Sequence, residues 1–191
     1  DKEIIDTELQ LKDLETIESR LAKEQKAAAA GNKEAKVNTT VLTAYKEVLE
    51  QGKNARIVSF ESKEEQQAAH DLFLLTAKPV MYVCNVDETA AKDGNEFTRK
   101  IEALAKEEGA EIMVIAAKTE EDIADYTPEE KREFLAEIGI EATGLDNLIK
   151  ASYTLLGLIS FLTDGKKECR AWTIRRGTKA PQAAGKIHSD I

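Results

Sequence analysis

Residues 2 to about 30 contain no glycine or proline, and Ile4, Leu11, Leu14, Ile17, Leu21 and Ala28 recur along them at steps of three, four or seven. That spacing predicts one long amphipathic helix. Gly31-Asn32 offers a left-handed stop, and Val37, Val41, Tyr45 and Val48, flanked by Leu42 and Leu49, predict a second helix that runs to Gly52. Two long helices joined by a short polar turn form an antiparallel hairpin whose apolar seam needs a twin or a partner to cover it. The expected form is a projecting coiled-coil arm. Ser62 and Glu65 have the spacing of a capping box and predict a further helix over residues 63 to 75.

From Pro79 the period changes. Val80-Met81-Tyr82-Val83-Cys84 is a continuous apolar run, residues 95 to 108 are helical in pattern through Phe97, Ile101, Leu104 and Ala105, and a second run follows at 112 to 116. This is a β-α-β unit, hence a parallel strand pair with a right-handed crossover. Helical patterns follow at 119 to 138, interrupted near Thr127-Pro128, and at 144 to 156. Beyond Gly157, residues 158 to 162 and 169 to 174 read as a hairpin around Thr163-Asp164-Gly165-Lys166, and 177 to 185 as a loop or short helical segment. The fold class is therefore α/β with an inserted helical hairpin, followed by a small module of two strands and a helix, too little to bury a core alone.

Composition narrows the picture modestly. A chain of 191 residues suits one core with appended elements, and 42% hydrophobic with 33% charged residues is ordinary for a soluble protein. No run of about 18 apolar residues exists and Asp1-Lys2-Glu3 does not resemble a signal peptide, so no membrane partner and a cytoplasmic location are expected. Cys84 and Cys169 stand far apart without a metal-binding or disulfide pattern and are expected to be buried thiols; His70 and His188 are assigned no catalytic role. Charge is more informative. The net charge is −9, yet residues 165 to 191 hold seven basic side chains against Glu168 and Asp190, a local +5 that leaves −14 elsewhere. Lys166, Lys167, Arg170, Arg175, Arg176 and Lys179 are the expected contacts to RNA or another polyanion.

Ligands of parallel sheets bind at the carboxyl ends of the strands. Here those ends carry Asn85-Val86-Asp87-Glu88 and Ala116-Ala117-Lys118. A P-loop nucleotidase keeps its base-reading loop at the first position, usually as Asn-Lys-x-Asp, where the aspartate accepts two hydrogen bonds from guanine. Val86 and Glu88 replace the Lys and Asp of that pattern. The longer glutamate displaces the carboxylate by about one methylene, enough to spoil a bidentate contact with a working range near 2.7 to 3.2 Å. Adenine is then the expected base, with Asn85 orienting its edge and Val86 flanking its face. Ala116-Ala117-Lys118 matches the second base loop, usually Ser-Ala-Lys. No GxxxxGK[ST] and no Asp-x-x-Gly occurs, so ligands for phosphate and magnesium are absent and this stretch alone is not expected to hydrolyse nucleotides.

The run from Arg170 to Asp190, RAWTIRRGTKAPQAAGKIHSD, resembles the TGS-domain signature of the YchF/Obg-like ATPase family nearly residue for residue. Thr7-Glu8-Leu9 with Asp13-Leu14-Glu15, Leu75-Thr76-Ala77-Lys78-Pro79, Asn85 to Glu88, and Leu155-Leu156-Gly157-Leu158 support it. The resemblance implies the second half of a P-loop NTPase domain, interrupted by a coiled-coil arm and followed by an incomplete TGS domain. The boundaries it suggests are 1–76 for the arm and its return, 77–157 for the NTPase part and 158–191 for the start of TGS. It further implies ATP preferred over GTP, with magnesium, and binding to ribosome or RNA, while the arm offers a surface to a protein partner. By the same resemblance Asn85, Val86 and Glu88 read the base with Ala117 and Lys118, and the phosphate-binding stretch lies before Asp1 in a longer protein. The alternative reading is a non-catalytic module that binds ribosome or protein through the arm and the basic end.

Overall fold

The computed structural model describes residues 1–140, 142–166 and 168–187. Lys167 and His188 lie outside the described residues. The chain divides into two compact units, Asp1–Lys78 and Pro79–Ile191.

The first unit is helical. α1 (Lys2–Ala29) and α2 (Lys33–Glu50) form the predicted hairpin, and Asn32 caps α2 by accepting a hydrogen bond from the Ala35 amide at 3.1 Å. α3 (Lys63–His70) begins at the predicted capping box, in which Ser62 and Glu65 satisfy one another. It ends five residues earlier than expected. Phe73 stands at φ +52° and breaks the helical course, and through the irregular segment around it Leu72, Leu74 and Thr76 are buried while Phe73 and Leu75 are exposed. The alternation of period two, which a helix could not provide, buries the return segment against the hairpin.

This return changes the expected arm. The core joins Ile17 of α1 and Val41, Leu42, Tyr45 and Leu49 of α2 to Ala55, Leu72 and Leu74, with Phe60, Ala68 and Ala69 packed on it. The base of the hairpin is thus covered by its own chain rather than by a twin. Ile4 and Leu11, expected in the seam, are 62% and 61% exposed. The inward stripe of early α1 is polar instead. Lys2 pairs with Asp6, Gln10 donates to the Asn54 side chain at 2.8 Å, and Asp13 is buried. The Asp13 carboxylate accepts from the Leu75 amide (2.8 Å), the Thr76 amide (2.7 Å) and Thr76 Oγ1 (2.7 Å), while Thr76 Oγ1 itself accepts from the Ala55 amide at 3.1 Å. The Asp13 carboxylate thus ties α1 to the segment after α3, and Thr76 Oγ1 extends the tie to the segment before it.

In the second unit, β1 (Met81–Asn85), α4 (Glu96–Glu108) and β2 (Glu111–Ile115) form the parallel unit, with Asn85 opposite Ile115 in register. Asn95 and Thr98 cap α4 reciprocally and Gly109 closes it at φ +64°. α5 (Ala117–Asp122), α6 (Pro128–Glu137) and α7 (Gly144–Leu155) follow, α6 starting on a Thr127–Glu130 capping box with proline in its first turn. β3 (Leu158–Asp164) and β4 (Cys169–Arg175) pair antiparallel, and α8 (Ala180–Ala184) is the short helical segment expected there. Cys84 is half-buried, but Cys169 is exposed, contrary to expectation, because it pairs with Asp164 beside the hairpin turn and donates to its carboxylate at 3.0 Å.

Candidate functional site

The two strand-end loops meet through Asn85. Register places it beside Ile115, so the backbone that leaves β2 runs past its side chain. Asn85 Oδ1 accepts from the Ala117 amide at 3.0 Å, and the Val86 amide donates to the Ile115 carbonyl at 2.8 Å. With Oδ1 committed, the exposed Asn85 side chain keeps its amide nitrogen as a donor. Such a donor suits a ring-nitrogen acceptor, of which N7 is common to both purines.

Val86 is half-buried, and Glu88 is exposed at the start of a single 3-10 turn, Glu88–Ala90. Among the described residues the Glu88 carboxylate has no hydrogen-bond or ion-pair partner, so nothing there makes it a brace for its own loop. Lys118 behaves otherwise. Its ammonium lies 3.1 Å from Glu121 and 2.8 Å from Asp122, and the hydrogen bonds to Asp122 and Glu121 hold its pKa above the ordinary lysine value. The side chain is laid along α5. Burial raises the Cys84 thiol at the end of β1, which keeps it protonated and unreactive near neutrality.

A cleft of about 610 Å³ borders Ala117 and is lined by Ile115, Glu120, Ile123, Lys131, Thr143 and Leu148 among others. Of the five residues expected to read a base, only Ala117 borders it. Glu120 was not singled out in the sequence, yet its carboxylate accepts a hydrogen bond from the Gly144 amide and joins α5 to the first turn of α7. It sits in the acidic run 120 to 122, where spacing alone does not separate a bridging carboxylate from solvated ones.

Arg170 and Arg175 do not share a face of the β3–β4 hairpin. Arg170 lies on the face shared by Phe161, Trp172 and Ile174, stacked 4.3 Å from the Trp172 ring, whereas Arg175 lies opposite Leu158 on the other face. Trp172 is fixed by a 2.9 Å bond from its indole nitrogen to Thr163. Arg176 is held by its amide on the Gly157 carbonyl at 2.7 Å; Lys166 is exposed in the hairpin turn, and Lys179 precedes α8.

Comparison with known proteins follows the same outline. The family model YchF-GTPase_C, described as a protein of unknown function, matches residues 158–191. The ribosome-binding ATPase YchF of Bacillus subtilis is 48% identical over 193 residues, covering all of this chain and 52% of the relative. The protein of that name from Escherichia coli O157:H7 is 43% identical, again over the full chain and 52% of the relative. Among solved structures, the Schizosaccharomyces pombe YchF GTPase superimposes with a TM-score of 0.85 at 33% identity, covering 100% of this chain and 52% of that one. This chain belongs to the YchF family and spans about half the length of the relatives it matches. Among the described residues no helix is long and apolar enough to cross a membrane.

Proposed function

We propose that this chain carries the base-reading part, the helical arm and the start of the TGS domain of a ribosome-associated ATPase that prefers ATP to GTP. The observation that carries this reading is the Asn85–Ala117 hydrogen bond. It joins the two loops that the resemblance assigns to a purine and leaves the Asn85 amide nitrogen to donate to a ring nitrogen. Because N7 is common to adenine and guanine, Asn85 holds either base, and selection falls to positions 86 and 88. Glu88 is an exposed carboxylate, displaced from the point at which an aspartate would grip two guanine donors, and Val86 offers an apolar flank where the commoner lysine would offer a charge. Phosphate and magnesium chemistry belongs, on this reading, to residues of the longer protein outside the chain.

The names of the relatives support ATP hydrolysis and ribosome binding for the family, although the bacterial proteins are named ATPases and the fission-yeast structure a GTPase. The base therefore has to be tested directly. In the complete protein, titration is expected to show ATP bound more tightly than GTP. Val86→Lys combined with Glu88→Asp is expected to move that ratio towards GTP by about tenfold, equivalent to about 1.4 kcal/mol. An unaltered protein that prefers GTP would overturn the assignment.

A further inference from the structure

The lysines of the α1–α2 hairpin fall into two groups. Along the stem, residues 1 to 22 and 37 to 52, Lys2 pairs with Asp6, Lys12 with Glu15, and Lys46 with Glu18 and Glu50. Around the tip, Lys23, Lys26, Lys33 and Lys36 are all exposed, and among the described residues none has a carboxylate oxygen within 4.0 Å. The tip also reverses the charge of the stem. Four lysines face only Glu24 and Glu34 between residues 23 and 36, whereas the stem carries nine carboxylates against four basic side chains. Glu24 is further engaged by the Asn38 amide at 3.3 Å.

Shape reinforces charge. Each lysine pair is three residues apart, which puts its members on one side of their helix, and all four lie within about 12 Å of Gly31 along the helix axes at 1.5 Å per residue. Between them the chain is Ala27-Ala28-Ala29-Ala30-Gly31-Asn32, with Gly31 at φ +91° and open space around it. Nothing bulkier than a methyl group stands at the end of α1, so a charged backbone can approach closely. The absence of large apolar or aromatic side chains argues against a packed protein interface, which takes most of its energy from buried anchors.

We propose that the tip of the α1–α2 hairpin is a phosphate-contacting surface for RNA, used when the protein binds ribosomes. The inference deepens the ribosome-binding reading above and rests on it for the biological target. Four lysines that lack internal carboxylates give up no ion pair on meeting phosphate, and the counterions displaced from RNA supply the affinity. The contact is blind to sequence, since lysine on a backbone carries no base information.

The test uses the complete protein in which Lys23, Lys26, Lys33 and Lys36 are all changed to Gln, compared with Lys12→Gln/Lys46→Gln in the stem. Sedimentation with purified ribosomes over a salt series is expected to show affinity reduced by about tenfold or more by the tip changes and a log–log salt slope shallower by about 3, at 0.7 to 0.9 per phosphate contact. The stem variant is expected to match the unaltered protein. A photoreactive side chain at Ala29 is expected to cross-link to ribosomal RNA. Unchanged affinity and slope in the tip variant, or cross-links to ribosomal proteins alone, would overturn the tip contact and leave ribosome binding standing. If the unaltered protein ignores ribosomes but binds a 20-base-pair RNA duplex through the tip lysines, the tip stands and the ribosomal target falls; binding to neither removes both.

Discussion

Asp13 shows how one buried charge is accommodated. Taking a carboxylate out of water is costly unless hydrogen bonds replace the lost solvent, and here two amides and a hydroxyl do so within 2.8 Å. Asp13→Ala leaves three donors without an acceptor, the two of Thr76 buried and that of Leu75 partly so, and is expected to cost about 3 kcal/mol, read as a lower urea midpoint with little change in slope. Asp13→Asn should lose somewhat less, because one oxygen remains to accept while its amide faces the donors. Asn85 has a different position: exposed, and shared between a structural bond and a proposed ligand. Asn85→Ala in the complete protein is expected to weaken ATP and GTP alike by about tenfold, since N7 is common to both bases. A change in the ATP to GTP ratio instead would show that Asn85 discriminates between them.

Helix ends in the second unit are built from local chemistry, and their contributions separate cleanly. Gly109 closes α4 at φ +64° with nothing within 4 Å of where a Cβ would stand. Gly109→Ala therefore meets no clash and should lose only the backbone preference, about 1 kcal/mol. At the start of α6, Glu130 accepts from the Thr127 amide at 2.7 Å and from its hydroxyl at 2.8 Å, and these bonds hold its pKa below the ordinary carboxylate value. The folded pKa is depressed, so the stabilisation is present above the unfolded pKa and is lost as pH falls through the lowered one. Amide exchange in α6 is expected to speed up on acidification across that interval, and Glu130→Gln to remove the acid dependence.

Several helix ends were legible in the sequence because caps and breakers act over three or four residues. Ser62, Thr127 and the Gly31-Asn32 pair each begin or end a helix by local backbone chemistry, whereas the Asn95 cap and the Gly109 stop of α4 came from the structure. The β-α-β unit was legible for a similar reason, since its apolar runs and its helix have different periods. What escaped depends on partners distant in sequence. Asp13 meets Thr76 across 63 positions, and the run Leu72-Phe73-Leu74-Leu75 continues a helical pattern as plausibly as a strand-like one until the hairpin is present to bury alternate residues. Ile4 and Leu11 fit the apolar stripe in spacing, but the stripe that faces inward there is polar. The strand-end loops were found from their residue types, whereas the bond that joins them needed the register of β1 against β2. Arg170 and Arg175 belong to one basic run in the sequence and to opposite faces of the hairpin in three dimensions, a consequence of their odd separation in a strand.

The division of the chain at Lys78 carries a last consequence. Every residue of the helical core, from Leu14 to Ala77, lies within the first unit, and the Asp13 latch closes on Thr76, two residues before the division. A segment with its own apolar cluster and its own satisfied polar ties has what independent folding requires, although at 78 residues its margin is small. Residues 1–78 expressed alone are expected to show helical circular dichroism and a single cooperative urea transition, with a slope of about 1 kcal/mol per molar. Asp13→Ala in that fragment should shift the midpoint as it does in the longer chain, because all partners of the carboxylate are present. A gradual loss of helix without a midpoint would show instead that the hairpin depends on contacts beyond Lys78, and would turn the latch from an internal clasp into one that works only when the rest of the chain holds the return segment in place.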